Sequence, residues 1–195
     1  MEIKEEQILV EKAKSNPLAF GELYDHYYVK ISNYVLRRVG SMPISQDITS
    51  EVFFKAMKSL PKFEWREVSF SSWLYKIATN ETYTYFRRKG NKPLSLDVLF
   101  EKYNFEIEDT TSIEDEYVRA EEIKKRQGEF IEIQKHLRML ALKYQEILIL
   151  RFFERKKLIE ISQITGKNLN TVKTLLSRGL ESLRESYYAQ ERGDK

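Results

Sequence analysis

The chain has 195 residues, 42% hydrophobic and 13% aromatic, with a formal charge of +3 and no cysteine. That is apolar mass enough for one domain or two small ones, and it excludes disulfides, thiolate catalysis and cysteine zinc sites. The charged opening MEIKEEQILVEKAK has no apolar run of signal-peptide length and no later stretch approaches a membrane span, so a soluble, cytoplasmic chain without membrane insertion is expected.

Phe20, Leu23, Tyr24, Tyr27, Ile31 and Tyr34 recur every three or four residues. They predict a helix with one buried stripe, entered at Asn16 and Pro17 and closed by Arg37 and Arg38 before Gly40. A second helix is predicted from Ser45 or Asp47, where Ile48, Val52, Phe53, Ala56, Met57 and Leu60 keep helical spacing, the start is acidic and Pro61 is the stop. The loop from Pro61 to Ser69 carries Phe63, Trp65 and Arg66; its two large rings either tuck back into a core or wait for a ligand.

The next helix, capped by Ser71 or Ser72, runs a stripe of Trp73, Leu74, Ile77 and Ala78 and ends at Gly90. Its other face carries Lys76, Asn80, Tyr83, Arg87 and Arg88. Those side chains offer a ring to stack on an unpaired base, an amide that both donates and accepts, and cations for phosphates. An aromatic core with a solvated basic end fits the stretch alone equally well.

From Asn91 to about Thr111 periodicity is poor, and this reads as linker; Ser112–Arg126 regains a sparse helical spacing. Past Gly128, Phe130, Ile133, Leu137 and Leu140, then Ile147, Leu148, Leu150, Phe152 and Phe153, predict two apolar helices separated near Leu142 and Lys143. A helix-turn-helix follows: Leu158, Ile161 and Ile164, the turn at Gly166, the cap at Asn168, and a longer helix with Val172, Leu176, Leu180 and Leu183 on its buried line. Asn170, Thr171, Lys173, Thr174, Ser177 and Arg178 then face outward, with donors, acceptors and cations suited to base edges and phosphates in a major groove. Charge follows the same division. Residues 1–90 hold 14 Lys and Arg against 11 Asp and Glu, 91–122 hold 3 against 10, and 123–195 hold 16 against 9. Two basic ends around an acidic middle suit two modules approaching one polyanion, although an acidic linker can also be only a solubilising one.

DITSEVFFKA, SFSSWLYKIATNETYTYFRRK and LILRFFERKKLIEISQITGKNLNTVKTLLSRGLESLRE, in that order, resemble three signatures of bacterial RNA polymerase sigma factors of the sigma-70 superfamily, in the compact extracytoplasmic-function type. The resemblance implies an all-α fold of two small helical domains joined by an acidic linker, the second ending in the helix-turn-helix. Residues 1–90 would bind the polymerase clamp and the melted minus-ten element, 91–122 would tether, and 123–195 would read the minus-thirty-five duplex. Asp47, Glu51 and Phe53 fall in the helix that docks on the beta-prime clamp. Phe63, Trp65, Lys76, Asn80, Tyr83, Arg87 and Arg88 fall in the segment that captures minus-ten bases, and Thr171, Val172, Lys173 and Arg178 match the reader's pattern. Core RNA polymerase, through clamp and beta flap, and promoter DNA are the implied partners, with an anti-sigma factor left open. No catalytic residue, metal or cofactor is implied; His26 and His136 lie far apart in the chain. Ser50, Thr84, Ser162 and Gly179 depart from the family's usual glutamine, aspartate, alanine and alanine. The competing reading is a stand-alone helix-turn-helix regulator whose N-terminal domain binds a signal or partner; a nuclease, which needs clustered carboxylates for metals, ranks well behind it.

Overall fold

The structure, a computed structural model, describes residues 3–65, 68–89 and 132–191. The expected linker, the sparse helix at 112–126, the stop at Gly90 and the start of the second domain lie outside them. Among the described residues all regular structure is helical. Four helices form the N-terminal unit: α1 Ile3–Ala13, α2 Pro17–Val39, α3 Met42–Ser59 and α4 Phe70–Arg88, with a 3₁₀ turn Leu60–Lys62 after α3. The C-terminal unit holds a helix over 132–139 (α5), α6 Leu142–Leu148, α7 Leu158–Thr165 and α8 Leu169–Glu191.

The α2 helix begins where expected. The Asn16 side chain accepts from the Leu18 N–H, Pro17 lacks the donor that this first turn would orphan, and Gly40 closes the helix at φ 72°, giving its N–H to the Leu36 carbonyl. Phe20, Leu23, Tyr27, Ile31 and Tyr34 are buried along one stripe, whereas Tyr24 is left partly exposed at its edge. The stripe packs against α1, α3 and α4. Its rings meet Phe70 and Tyr75 of α4, at 5.5 Å for Tyr27–Phe70 and 5.2 Å for Tyr34–Tyr75. Tyr34 keeps its hydroxyl satisfied through Thr79 at 2.7 Å and Arg38 at 3.1 Å, so a polar atom sits in a fully buried position without an orphaning penalty.

The third helix starts earlier than Ser45 or Asp47. It opens at Met42 after Ser41, with Pro43 in the first turn and no acid there. Proline is as good a helix opener as it is a loop residue, and the short Ser-Met-Pro-Ile run hid that. Ser45 is inside, its hydroxyl donating to the Ser32 carbonyl at 2.9 Å. The cap of α4 also shifts: Ser69, not Ser71 or Ser72, accepts from the Ser72 N–H at 3.1 Å.

In the C-terminal unit α6 runs into a π turn, Ile149–Phe153, which the Glu154 N–H closes onto the Ile149 carbonyl at 3.1 Å. Arg155 follows at φ 52°, a left-handed conformation uncommon for a residue with a side chain. Gly179 of α8 explains how closely α6 and α8 cross, since a Cβ there would lie 3.3 Å from Tyr144 Cβ and 3.4 Å from Leu148 Cδ1.

Candidate nucleic-acid interface

The reading head in the C-terminal unit has the expected form. Glu160 accepts from the Lys157 N–H at the start of α7, at 2.8 Å. Gly166 takes the left-handed turn at φ 68°, and Ser162 donates to the Lys167 carbonyl at 2.6 Å across it. Asn168 caps α8 by accepting from the Thr171 N–H at 2.8 Å. Ile161, Ile164 and Val172 are almost fully buried and fix the angle between the helices. That leaves Asn170, Thr171, Lys173, Thr174, Ser177 and Arg178 all exposed on one side of α8, along a shallow groove that Asn168, Leu175 and Arg178 help to line. Of the predicted buried line, Val172 holds, Leu176 and Leu183 are half-buried, and Leu180 is 41% exposed. The position facing α6 is taken by Gly179 instead, where a Cβ would stand 3.3 Å from Tyr144 Cβ and anything larger would push the crossing apart.

The N-terminal unit supplies a second face. Phe63, Trp65, Phe70 and Trp73 form one aromatic box, with Phe63 5.7 Å from Trp65, 5.8 Å from Phe70 and 4.9 Å from Trp73. Phe63 is 6% exposed. Its expected role as a ring presented to a base is therefore corrected for this conformation: three neighbouring rings enclose it and it serves as core. Trp65 is the half-buried rim of the box, and its indole N–H is buried with no acceptor among the described residues. From Trp73 the outer face of α4 continues through Lys76, Asn80, Arg87 and Arg88, all exposed but for the half-buried Trp73. Tyr83 is set apart from them, because its hydroxyl donates to Glu146 of α6 at 3.1 Å.

On α3, Asp47 and Glu51 are exposed, with Glu51 3.3 Å from Lys55, which also reaches Glu81 of α4 at 2.6 Å. Phe53 is not on this face. It is 4% exposed and packs 4.7 Å from Tyr24, so the expectation that it docks on a partner is corrected. Burial of every third or fourth residue places Phe53 inward beside Val52 and Ala56, and the exposed apolar side chains of α3 are Phe54 and Met57.

A polar seam that the sequence did not disclose joins the two units. Glu154, at the end of the π turn, accepts from Tyr75 at 2.5 Å and from Arg37 at 3.1 Å. Lys156 donates to Ser71 at 2.7 Å and lies 4.7 Å over the Tyr75 ring. Burial pushes the Glu154 carboxyl above the ordinary carboxylate range and pushes the Lys156 ammonium down. Glu146, fully buried, holds Tyr83 and stands 3.5 Å from Lys167. A long-range pairing of single polar residues leaves no periodic trace, and hydrophobic spacing cannot reveal it.

Two surfaces in separate helical units, one a helix-turn-helix and the other a basic helix running from an aromatic box, define a protein that handles DNA in two ways. The family model for sigma-70 region 2 matches residues 23–92 and that for sigma-70 region 4 matches residues 130–183. The chain is 31% identical over 192 residues to the ECF RNA polymerase sigma factor SigW of Bacillus subtilis, covering 95% of this chain and 97% of that one. RNA polymerase sigma factor YlaC of the same bacterium is 30% identical over 167 residues, with 85% and 90% covered. Two solved structures share the fold. CnrH in complex with the cytosolic domain of CnrY has a TM-score of 0.64 at 18% identity, covering 97% of this chain and 99% of that one. The sigma factor RpoE in complex with the anti-sigma factor NepR from Bartonella quintana has 0.60 at 20%, covering 86% and 95%. The chain belongs to the sigma-70 family of RNA polymerase sigma factors, in its extracytoplasmic-function group, and directs promoter-specific transcription initiation with core RNA polymerase.

Proposed function

We propose that the chain reads its promoter in two states, the upstream element as duplex and the minus-ten element as melted strand. The observation that carries this is the presence of outward donor and cation faces in both units, α8 in one and α4 in the other, each backed by a rigid apolar line. Residues 1–90 form the clamp-binding and melting unit, 91–122 the tether, and 123–195 the upstream reader. Asn170, Thr171, Lys173, Thr174, Ser177 and Arg178 meet base edges and phosphates in a major groove. On α4, Lys76, Arg87 and Arg88 hold the strand's phosphates, while Asn80 and the rim ring Trp65 take an extruded base. Stacking on such a ring offsets the cost of unpairing by roughly 1–3 kcal/mol per base. The contact forms only after the base leaves the duplex, so it favours the open state.

Asp47 and Glu51, with Phe54 and Met57 beside them, face the polymerase clamp, and the C-terminal unit meets the beta flap. The chain has no active site of its own and acts in the cytoplasm, where its polymerase is. Since RpoE is solved with an anti-sigma factor, an inhibitor of that kind is part of the proposal here. Among the described residues no helix is long and apolar enough to cross a membrane.

Holoenzyme carrying Trp65→Ala or Asn80→Ala, on a promoter with a fluorescent base analogue in the minus-ten element, should open the DNA more slowly while the upstream footprint stays intact. Opening at the wild-type rate in both variants overturns the base-capture assignment.

A further inference from the structure

The polar groups on the exposed side of α8 are not all free, because some are already engaged within the helix. The Asn168 side-chain oxygen accepts from the Thr171 N–H as the cap. One turn on, the Thr174 hydroxyl donates to the Asn170 carbonyl at 2.9 Å. A hydroxyl bonded in this way has no hydrogen left for a base, so Thr174 offers a methyl group and an acceptor. Asn170 differs from both. It is the second residue of α8, it is exposed, and neither end of its side-chain amide bonds to another described residue. Asn170, Thr174 and Arg178 line the same shallow groove. Spaced by four residues, they form one row along the helix, with neighbours about 6 Å apart at about 1.5 Å per residue.

A free amide donates and accepts side by side, and in the major groove one base edge matches that pair. Adenine presents an acceptor at N7 beside a donor at N6, guanine presents two acceptors, and each pyrimidine presents a single polar group. An asparagine therefore pairs twice with adenine and at most once with the others. The next member of the row has a methyl and no donor. It suits the C5-methyl of thymine and fails guanine, whose N7 and O6 both require donors. We propose that Asn170 reads an adenine of the upstream element through a bidentate amide contact, and that Thr174 packs its methyl group on a thymine one to two base pairs away. That offset follows from the spacing of the two side chains, since about 6 Å along the helix spans one to two steps of about 3.4 Å. The inference rests on the duplex reading by α8 proposed above and adds to it the identity of two bases. Thr174 also acts on its neighbour, because its bond to the Asn170 carbonyl ties together the two turns from which both side chains project.

The test uses holoenzyme carrying the full chain and a pool of promoter duplexes whose upstream element is randomised, with the bound duplexes sequenced. Wild type should enrich an adenine by roughly 5- to 140-fold over the other bases at one position, and a thymine one to two pairs from it. Asn170→Ala should lose the adenine preference alone. Thr174→Ser, which keeps the hydroxyl and removes the methyl, should lose the thymine preference alone. On the enriched duplex, 7-deazaadenine in the first position and uracil in the second should weaken binding by wild type and cost nothing further in the matching variant; these base changes also keep the test independent of how well either variant folds. If Asn170→Ala weakens every sequence equally, the amide holds a phosphate and the assignment is overturned. Enrichment that both variants leave untouched overturns the assignment while sparing the duplex reading. A wild-type holoenzyme that enriches no upstream sequence overturns the duplex reading, and the assignment with it.

Discussion

Phe63 and Asn80 show how two residues assigned to one DNA-binding surface separate once burial is known. Phe63 sits inside a box of three other rings, so Phe63→Ala removes a buried aromatic and should cost about 3–5 kcal/mol of stability, seen as a lower thermal midpoint of the free protein. Asn80 is exposed, and Asn80→Ala should leave that midpoint within about 0.5 kcal/mol of wild type while slowing promoter opening. The same division applies on α3. Phe53→Ala should destabilise the chain, whereas Phe54→Ala with Met57→Ala should leave it folded and weaken co-elution with core polymerase, since their side chains are 55% and 48% exposed. On α8, Lys173→Ala and Arg178→Ala should each cost about 1–3 kcal/mol in upstream binding if they contact base edges; gel-shift titrations on matched and mismatched duplexes measure it, and unchanged affinity in both would move the recognition surface elsewhere.

Among the helices, chain reversals are where sequence and geometry agree best. Gly40 and Gly166 both take φ near +70°, so alanine at either should cost about 1–2 kcal/mol. Gly40→Ala should cost more than Gly166→Ala, because its Cβ would lie 3.2 Å from an Arg138 nitrogen while nothing comes within 4 Å at Gly166. Urea denaturation of the two variants ranks them, and the reverse order would mean that Arg138 yields freely. The caps Asn16 and Asn168, the glycines and the buried stripe of α2 were legible because each is a local signal that needs only a few neighbouring residues. The start of α3 was misread because Pro43 opens a helix and marks a loop with equal ease. The inward turn of Phe53, the enclosure of Phe63 and the replacement of Leu180 by Gly179 at the α6 crossing were not legible, since each depends on which neighbour stands opposite. The residues exposed on α8 were legible as a set, because their buried counterparts define the opposite side.

For the molecule as a whole, acidity should favour the packing of the two units against each other through Glu154. Burial holds the Glu154 carboxyl above its ordinary value of 4.5, although Tyr75, Arg37 and Lys156 oppose that shift. The chain with its units packed together therefore binds a proton more readily than one with residue 154 in water. That contribution is complete below the ordinary value and is lost as pH rises through the raised one. Of the groups facing it, Tyr75 is pushed up by burial and stays protonated, and burial pushes Lys156 down from its ordinary value of 10.5. The fraction of chains with the units packed together should thus rise as pH falls toward 4.5 in an energy-transfer titration, and Glu154→Gln, which mimics the protonated side chain, should flatten the response. A packed fraction that falls on acidification would contradict the sign.

The seam also keeps cations out of circulation. Arg37 and Arg38 of α2 are held there against the two carboxylates Glu154 and Glu146 of the other unit, and Arg38 is only 2% exposed with two of its guanidinium nitrogens unpartnered among the described residues. Parting the units takes both carboxylates away and returns the positive charge of Arg37 and Arg38 to solvent beside α4. A polyanion therefore stabilises the parted form through counterion release as well as through contacts, each additional neutralised phosphate steepening the salt dependence of binding by about 0.9 in logarithmic slope. Duplex binding by the full chain should accordingly depend on salt more steeply than the cations on α8 alone would require, and the promoter's own charge becomes one of the forces that open the protein that reads it.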